Sequence, residues 1–537
     1  MAQMIFPQYR KGKVGIDIFP GTILDHARKL GVEIASECGG EGICGKCIVR
    51  IERGHEGLVE KTEAEKSFEL REDERLACQA KVVKPTDIYV FIREMGEYTI
   101  LADTVEDKME LAPFVYNRNG KVVWKSPAGE VRLSEYTGKI YGLAIDVGTT
   151  TLVSQVIDLE SGARIATLSR KNPQAGYGDD VISRAGYTMN NEGGLKELQQ
   201  IVVNAINESL QELEEDMGEI RDSIYEVVAV GNSTMRSIFF GIDVSTLCVM
   251  PFEPHSKEPV NVKATELGLQ IHPNANVYGP GLIGGHAGAD ALADILASEM
   301  YKKEKPQMTV DVGTNGEVIV GNQNGLLTAS CAAGGAYEGA TVKNGVGAIE
   351  GAITNIRIVD DRTEYETIGD KPAIGICGSG LIDLLAEMLI NGIVNERGKF
   401  TNPEKEFVVD KERGISITQE DVNQLILARS GLSLDQKSLI KHFPTSVDEL
   451  ENIYLAGAFG NFINADNAIA IGLFPDAKEK AVKIGNGALA GARQMLLSQE
   501  KRKEAEEIVG KIKHLKPNEE EGFFDAFVDG IRFESWR

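Results

Sequence analysis

The sequence predicts two folds in series: a small α+β module of β-grasp type over residues 1–95 and a large two-lobed α/β body over residues 139–537. Three observations carry that expectation. Four of the seven cysteines, Cys38, Cys44, Cys47 and Cys78, fall within 41 residues of the first segment, among short strand-like runs. From about residue 139 onward strands alternate with helices, the α/β pattern. One phrase also occurs twice, in GLAIDVGTTTLVSQVIDL (142–159) and MTVDVGTNGEVIVGN (308–322), 165 residues apart. Two copies of an apolar strand that ends in Asp and enters a Val-Gly-Thr turn suggest a duplicated domain whose lobes face across a cleft.

The bulk numbers narrow the class. A chain of 537 residues has room for roughly three to four domains, each able to bury a core. The net charge of −24 argues against nucleic acid and anionic membrane surfaces as partners. Residues 1–95 hold 15 Lys and Arg against 16 Asp and Glu, leaving 42 against 65 for the rest; a nearly neutral head precedes an acidic body. MAQMIFPQYRKGK has no apolar h-region, and no run of 18 apolar residues occurs. The expectation is a cytoplasmic protein without a membrane span. An odd cysteine total argues against a disulfide framework, and the scattered Cys248, Cys331 and Cys377 read as small buried hydrophobes.

In the head, MIFPQY, KVGIDIF, CIVRIE and DIYVFI read as strands around one helix. Thr22 and Asp25 form its capping box, Ile23, Leu24, Ala27 and Leu30 line one face, and Gly31 stops it. The loop CGGEGICGKC (38–47) spells three motifs at once. As a Walker A loop it puts Cys47 where a magnesium-binding hydroxyl belongs, and a strand-like IVRIERG follows where a helix is needed. As a dinucleotide fingerprint it follows a helix where a strand is needed. As a thiolate loop, Cys38-x5-Cys44-x2-Cys47 with Cys78 in RLACQA supplies the four ligands of a [2Fe–2S] cluster. Glycines 39, 40, 42 and 45 let the backbone wrap closely and aim N–H groups at sulfur. Structural zinc, the competitor, usually takes two tight cysteine pairs, and only one pair here is tight.

Residues 96–138 read as a linker or small docking element containing a hairpin, GKVVWKSPAGEVRL. In GGLKELQQIVVNAINESLQELEED (193–216) Leu195, Leu198, Ile201, Val202, Ile206 and Leu213 share one helical face. Within the repeated phrase, Gly148, Thr149, Thr150, Gly313, Thr314 and Asn315 suit phosphate oxygens. Asp146 and Asp311 would meet near the triphosphate and hold Mg²⁺, through its waters. NIYLAGAFGNFINADNAIAIGLFP (452–475) offers Gly457 and Gly460 to a base or ribose. In GICGSGLIDLLAEML (375–389), Gly378, Ser379 and Gly380 open a helix whose N-terminal N–H groups favour an anion or ribose hydroxyl. A catalytic base is best sought in PGLIGGHAGADALA (280–293), as His286 or Asp290, although His286 between glycines reads somewhat better as a satisfied structural histidine. Ser330, Cys331 and Glu338 line either the nucleotide surface or a partner-facing one.

The order DVGTTT, DVGTNGE, GSGLID, LAGAFGNF resembles the acetate/sugar kinase, heat-shock chaperone and actin superfamily over about 400 residues, which implies an actin-like, ribonuclease H-like duplicated ATPase domain. Residues 1–95 resemble plant- and adrenodoxin-type ferredoxin domains, with spacing nearer the adrenodoxin branch. The fusion is similar to ATP-dependent reductive activators of corrinoid proteins in methyltransferase systems, as are NPQAGYGDDVISR, VGNSTM, PGLIGGHAGADALA and SCAAGGAYEGA. That resemblance implies a [2Fe–2S] cluster, ATP and Mg²⁺ as cofactors. It further implies a corrinoid protein and an external low-potential electron donor as partners, and a homodimer. Longer members carry a separate middle domain, for which the 43 residues of 96–138 leave little room. The branch with paired [4Fe–4S] clusters on C-terminal cysteines is set aside, because no cysteine follows Cys377. Rival readings are a 2-hydroxyacyl-CoA dehydratase activator, a small-molecule kinase with a redox sensor, and a plain ferredoxin-type carrier on a nucleotide-binding scaffold.

Overall fold

The computed structural model describes residues 2–536 except 8–13, 33, 35, 37, 44, 46, 69, 93–108, 127, 179, 314, 332–333, 340, 360–361 and 458–461. Two compact units account for it: residues 1–97 with 172–194, and residues 98–171 with 195–537.

In the first unit Thr22 starts helix α1 (Ile23–Leu30). Its hydroxyl accepts from the Asp25 amide at 3.1 Å while the Asp25 carboxylate accepts from the Thr22 amide at 2.8 Å, and Gly31 closes the helix at φ 79°. The helix lies on a five-stranded sheet of order β2-β1-β5-β3-β4. Its strands are β1 (Gln3–Ile5), β2 (Gly15–Asp17), β3 (Ile48–Arg53), β4 (Glu74–Leu76) and β5 (Ile88–Ile92). Met4, Phe6, Ile23, Val49, Ile51, Leu76 and Val90 form the core between them. A short helix α2 (Glu63–Lys66) is tied to β4 by a two-point pair in which Arg75 donates to both oxygens of the buried Glu65, at 2.8 and 3.0 Å. Burial alone would raise the Glu65 carboxyl, but the Arg75 bonds and the Thr62 and Leu76 amides hold it below its ordinary value. Residues 172–194, expected in the body, belong to this unit; they contain helix α3 (Val181–Asn190), capped by Asp180.

The second unit opens with a three-stranded sheet of β6 (Val115–Arg118), β7 (Lys121–Ser126) and β8 (Gly129–Glu135). The hairpin expected in the linker or small docking element of 96–138 is thus β7–β8, with β6 added as a third strand. Val115, Val122 and Leu133 join the same core as Ala144 and Leu496. The first lobe follows: β9 (Tyr141–Val147), β10 (Thr151–Asp158), β11 (Arg164–Lys171), helix α4 (Gly194–Met217), β12 (Ile224–Val230), α5 (Ser233–Phe240), β13 (Val260–Lys263), α6 (Ala264–Leu267), β14 (Asn276–Gly279) and α7 (Ala289–Ser298). Leu198, Val202 and Ile206 of α4 are buried, as the stripe predicts. The second lobe has β15 (Gln307–Val312), β16 (Gly316–Asn322), β17 (Gly325–Cys331), a small sheet of β18 (Ala352–Val359), β19 (Arg362–Thr367) and β20 (Gly375–Ile376), helix α8 (Gly378–Ile390), a hairpin β21 (Glu406–Asp410) and β22 (Ile415–Thr418), and α9 (Gln419–His442). It ends with β23 (Ile453–Ala456), α10 (Ala465–Ala470), β24 (Ala481–Gly485), α11 (Gly487–Leu497), α12 (Gln499–Val509), β25 (Ile512–His514) and α13 (Phe523–Asp529).

The two large sheets repeat one topology. In the first, β11-β10-β9 is an antiparallel meander and β12 then β14 add parallel to β9; in the second, β17-β16-β15 is the meander and β23 then β24 add parallel to β15. Asp146 near the end of β9 and Asp311 near the end of β15 thus occupy equivalent places. This is the duplicated ribonuclease H-like architecture of an actin-like ATPase domain, as the repeated phrase predicts. No helix among the described residues is long and apolar enough to cross a membrane.

Candidate functional site

The cysteine loop feeds β3, and Cys78 follows β4. Because Ile48 pairs with Leu76 and the Ala77 amide donates to the Cys47 carbonyl at 2.8 Å, the strand ends bring two of the thiols together. Cys47 and Cys78 are buried with sulfurs 3.3 Å apart, far beyond the ~2.05 Å of a disulfide. The Cys78 thiol is pulled down to about 7, first by the Cys47 contact and then, against burial, by Gln79 and the Gly42 amide. Gln79 Nε2 donates to the Gly40 carbonyl at 3.1 Å and lies 3.6 Å from Cys78 Sγ. Gly39, Gly40, Gly42 and Gly45 all have positive φ, and a side chain at Gly42 or Gly45 would run into Gln79 or Phe68. Cys38 stands at the start of this loop, half-buried; Cys44 lies outside the described residues. Thiolate character, glycine backbone and N–H donors fit an iron–sulfur group.

The second candidate site lies where the lobes of the large unit meet. Asp146, Asp290, Asp294, Asp311 and Glu317 form one mutually interacting set, Asp294 and Glu317 buried and the other three half-buried, and Glu338 acts on Asp146, Asp311 and Glu317. Asp146 is pushed up to about 7 by burial and by Asp311 and Glu338, against an opposing bond from Asn486. Asp290 rises to about 7 and Asp311 to about 6, burial being the largest cause in each. Asp294 and Glu317 lie well above their ordinary values for the same reason. Helical spacing puts Asp290 and Asp294 on one face of α7, and Glu317 faces Asp311 across the β15–β16 ladder.

No N–H or O–H of a described residue donates to either oxygen of Asp294. The Asp311 carboxyl is within its reach, so the pair must share a proton unless a cation enters. Glycines make the room: a Cβ at Gly487 would sit 2.2 Å from Asp294 Oδ1, and one at Gly457 would sit 2.5 Å from Asp311 Oδ1. An all-oxygen set with an orphaned carboxylate suits a hard cation. Among the described residues no three Asp, Glu, His or Cys side chains converge as direct ligands.

Around these acids the first turn is tightly fixed. A Cβ at Gly148 would meet the Thr151 carbonyl at 2.3 Å. Asn232 Nδ2 donates to Thr149 Oγ1 at 2.9 Å and its Oδ1 caps α5; Asn486 Nδ2 donates to Asp146 Oδ2 at 2.9 Å and its Oδ1 caps α11. Thr150 Oγ1 donates to Glu338 at 2.7 Å. In the second turn the Gly313 amide donates to the Asn315 carbonyl at 3.1 Å, while Thr314 and Gly460 lie outside the described residues.

Two expectations meet a different setting. Gly378, Ser379 and Gly380 do open α8, but all three are buried. Ser379 donates to the Thr354 carbonyl at 2.9 Å, and Gly380 lets the helix close on the Ile353 carbonyl. Close packing on β18 accounts for the small residues. His286 faces Phe252, Lys516 and Glu253; burial first and Lys516 next lower its pKa against Glu253, and the acids of the set do not act on it. Ser330 donates to Glu317 at 3.2 Å, tying it to the acidic set, whereas Cys331 packs by Asp435. The sequence reading missed Asp294, Glu317 and Asn486. The available signal was Gly-Asn at two strand ends, VGN (230–232) and IGN (484–486).

Comparison with known proteins agrees with this division. Residues 16–83 match the 2Fe-2S iron-sulfur cluster binding domain, residues 141–303 the RACo middle region, and residues 305–535 the C-terminal domain of RACo, the ASKHA domain. The chain belongs to the RACo family. The family's middle region is present after all, as the lobe carrying the first Val-Gly-Thr turn rather than as a domain within 96–138. The iron–sulfur domain supports a [2Fe–2S] cluster and the ASKHA domain supports nucleotide binding. The corrinoid activation enzyme RamQ of Eubacterium limosum is 29% identical over 90% of this chain and 92% of its own length. The [Co(II) methylated amine-specific corrinoid protein] reductase of Methanosarcina barkeri is 26% identical over 70% of this chain and 73% of its own. A solved reductive activator for corrinoid, iron-sulfur protein superposes with a TM-score of 0.74 at 28% identity, covering 99% of this chain and 98% of that one.

Proposed function

We propose that this RACo-family protein couples ATP binding and hydrolysis to the one-electron reduction of Co(II) to Co(I) in a corrinoid protein, restoring its capacity to accept a methyl group. One observation carries the reading: a single chain joins a thiolate cage to a nucleotide cleft built on a duplicated Asp-Val-Gly-Thr phrase. Its similarity along nearly the full length to a solved reductive activator supports it.

Cys38, Cys44, Cys47 and Cys78 hold the [2Fe–2S] group, which when bound supplies one electron at a potential of roughly −400 mV, as plant-type clusters do. Gly148, Thr149, Thr150, Gly313, Thr314 and Asn315 donate to phosphate oxygens, and Gly457 and Gly460 leave room for the nucleoside. Asp146 and Asp311 would hold Mg²⁺ through its waters, with Asp294 and Glu317 completing the acidic set around Asp311. Asp290, one oxygen of which accepts from the Ala291 amide at 2.8 Å, accepts the proton of the attacking water; a group near 7 suits that task. Nucleotide promotes the reduction only through different affinities for two arrangements of the lobes: the arrangement favoured by ATP binds the Co(II) partner so that cobalt loses ligation and accepts the electron more readily. The donor is an external low-potential carrier.

The test is an anaerobic mixture of reduced protein, MgATP and a Co(II) corrinoid protein followed in the visible spectrum. Co(I) forms with ATP and not without it. Equal formation in both removes the coupling, and no formation with any corrinoid protein removes the substrate.

A further inference from the structure

Residues 172–194 interrupt the first lobe between β11 and α4 yet belong to the compact unit that holds the cysteines. They are braced internally. Asn172 Oδ1 accepts from the Gln174 amide at 3.0 Å, and Asp180 accepts from the Ser183 amide at 2.7 Å and its hydroxyl at 2.9 Å. The fully buried Arg184 donates to the Gly178 carbonyl at 2.7 Å and to Gln174 at 3.3 Å. A segment fixed in this way moves as one piece.

Its contact with the rest of that unit is specific. The carbonyl oxygen of Tyr177 lies over Gly39, 3.7 Å from where a side chain would begin, and Gly39 adjoins Cys38. The Arg28 guanidinium, in the last turn of α1, stacks 4.6 Å above the Tyr177 ring, and Tyr187 packs edge-on to that ring at 4.9 Å. Among the described residues Arg28 Nε and Nη2 are buried without an acceptor, and the aromatic face of Tyr177 is the group that meets this charge. At the other end, Lys171 precedes Asn172 in the chain and pairs with Thr151 in the β10–β11 ladder. Thr151 directly follows the Gly148–Thr150 turn. One strand pair and one peptide bond separate the first phosphate turn from the segment seated beside Cys38.

We propose that Tyr177 and Arg28 are positioning residues through which nucleotide occupancy alters the surroundings of the cluster loop. The inference rests on the nucleotide reading of the cleft. A shift of the phosphate turn displaces β11, carries the braced segment with it, and changes how the Tyr177 carbonyl and ring press on Gly39 and Arg28. The electronic environment at Cys38 changes in consequence.

The test uses the full-length, cluster-loaded protein with MgADP and a non-hydrolysable ATP analogue. Its readouts are nucleotide affinity by calorimetry, the electron paramagnetic resonance spectrum after reduction, and amide hydrogen exchange over residues 24–42. Nucleotide should alter spectrum and exchange in the natural protein and in Tyr177→Phe. Both effects should vanish in Tyr177→Ala and in Arg28→Met, with nucleotide affinity unchanged within about twofold, as for sites that share no partner. Nucleotide that binds without altering spectrum or exchange, or variants that retain the full response, would overturn the proposal. Failure of the natural protein to bind nucleotide would instead overturn the reading of the cleft and this inference with it.

Discussion

Asn486 does two jobs with one amide. Its Oδ1 accepts from the Leu489 amide at 2.7 Å, capping α11, and its Nδ2 donates to Asp146 at 2.9 Å. Serine caps a helix about as well but is too short to reach Asp146. Asn486→Ser should therefore leave the thermal midpoint nearly unchanged while MgADP affinity falls roughly tenfold, the worth of a hydrogen bond to a charged group, as read by calorimetry. Asp435 is a different case, a buried acid whose protonation state bears on stability. It packs against Cys331, and burial pushes its carboxyl up to about 7. The unfolded value is about 3.9, so the folded chain binds the extra proton, and the stability linked to it is lost as pH rises between those values. Asp435→Asn removes that dependence. Relative to the natural protein, the variant should gain on the order of 2 kcal/mol between about pH 5 and about pH 8, seen as a growing difference in unfolding midpoint; a constant difference refutes it. Neither residue was legible. Asn486 lies 340 positions from Asp146, and no local pattern marks an acid whose neighbours arrive from another strand.

Helices α7 and α11 carry Asp290, Asp294 and Asn486 between them, and glycine sets how closely they approach. A Cβ at Gly491 would lie 2.2 Å from the Ala293 carbonyl. Gly491→Ala must push the helices apart, at about 1–3 kcal/mol for overpacking a filled core, and displace the acids as it does so. A lower unfolding midpoint together with weaker MgADP binding is expected; weaker stability with unaltered binding would mean that the acids do not depend on this spacing. Elements with one wet face were readable: the α4 stripe, the Thr22–Asp25 box and the paired Asp-Val-Gly-Thr strands each announce themselves locally. Every residue of α11 is buried, so it has no polar face and no apolar stripe to contrast with it. GSGLID is ambiguous for a related reason, because packing α8 on β18 and opening a nucleotide turn both call for small residues.

The division of the whole chain was legible in outline, because cysteine spacing and a duplicated phrase are statements about composition and repetition. The assignment of residues 172–194 to the cysteine-bearing unit was not, since it depends on contacts such as Arg28 with Tyr177, which lie 149 positions apart in the sequence. Two units with separate cores make one strong demand on function: each half-reaction must survive loss of the other's ligands. Cys47→Ser removes a thiolate from the cage and leaves the cleft intact, so MgADP should bind within about twofold of the natural affinity while no Co(I) is produced. Asp311→Asn leaves the cysteines untouched but takes a charge from the set proposed to hold Mg²⁺. The reduced cluster's own spectrum without nucleotide should then be unchanged, while ATP-dependent Co(I) formation falls by at least roughly a hundredfold, the scale on which lost charge stabilisation acts in a water-excluded site. Both variants are measured in the same anaerobic assay, with cluster content and nucleotide affinity determined on each preparation. Should Asp311→Asn reduce cobalt at the natural rate, the cleft would be a scaffold, and the thiolate cage alone would do the chemistry.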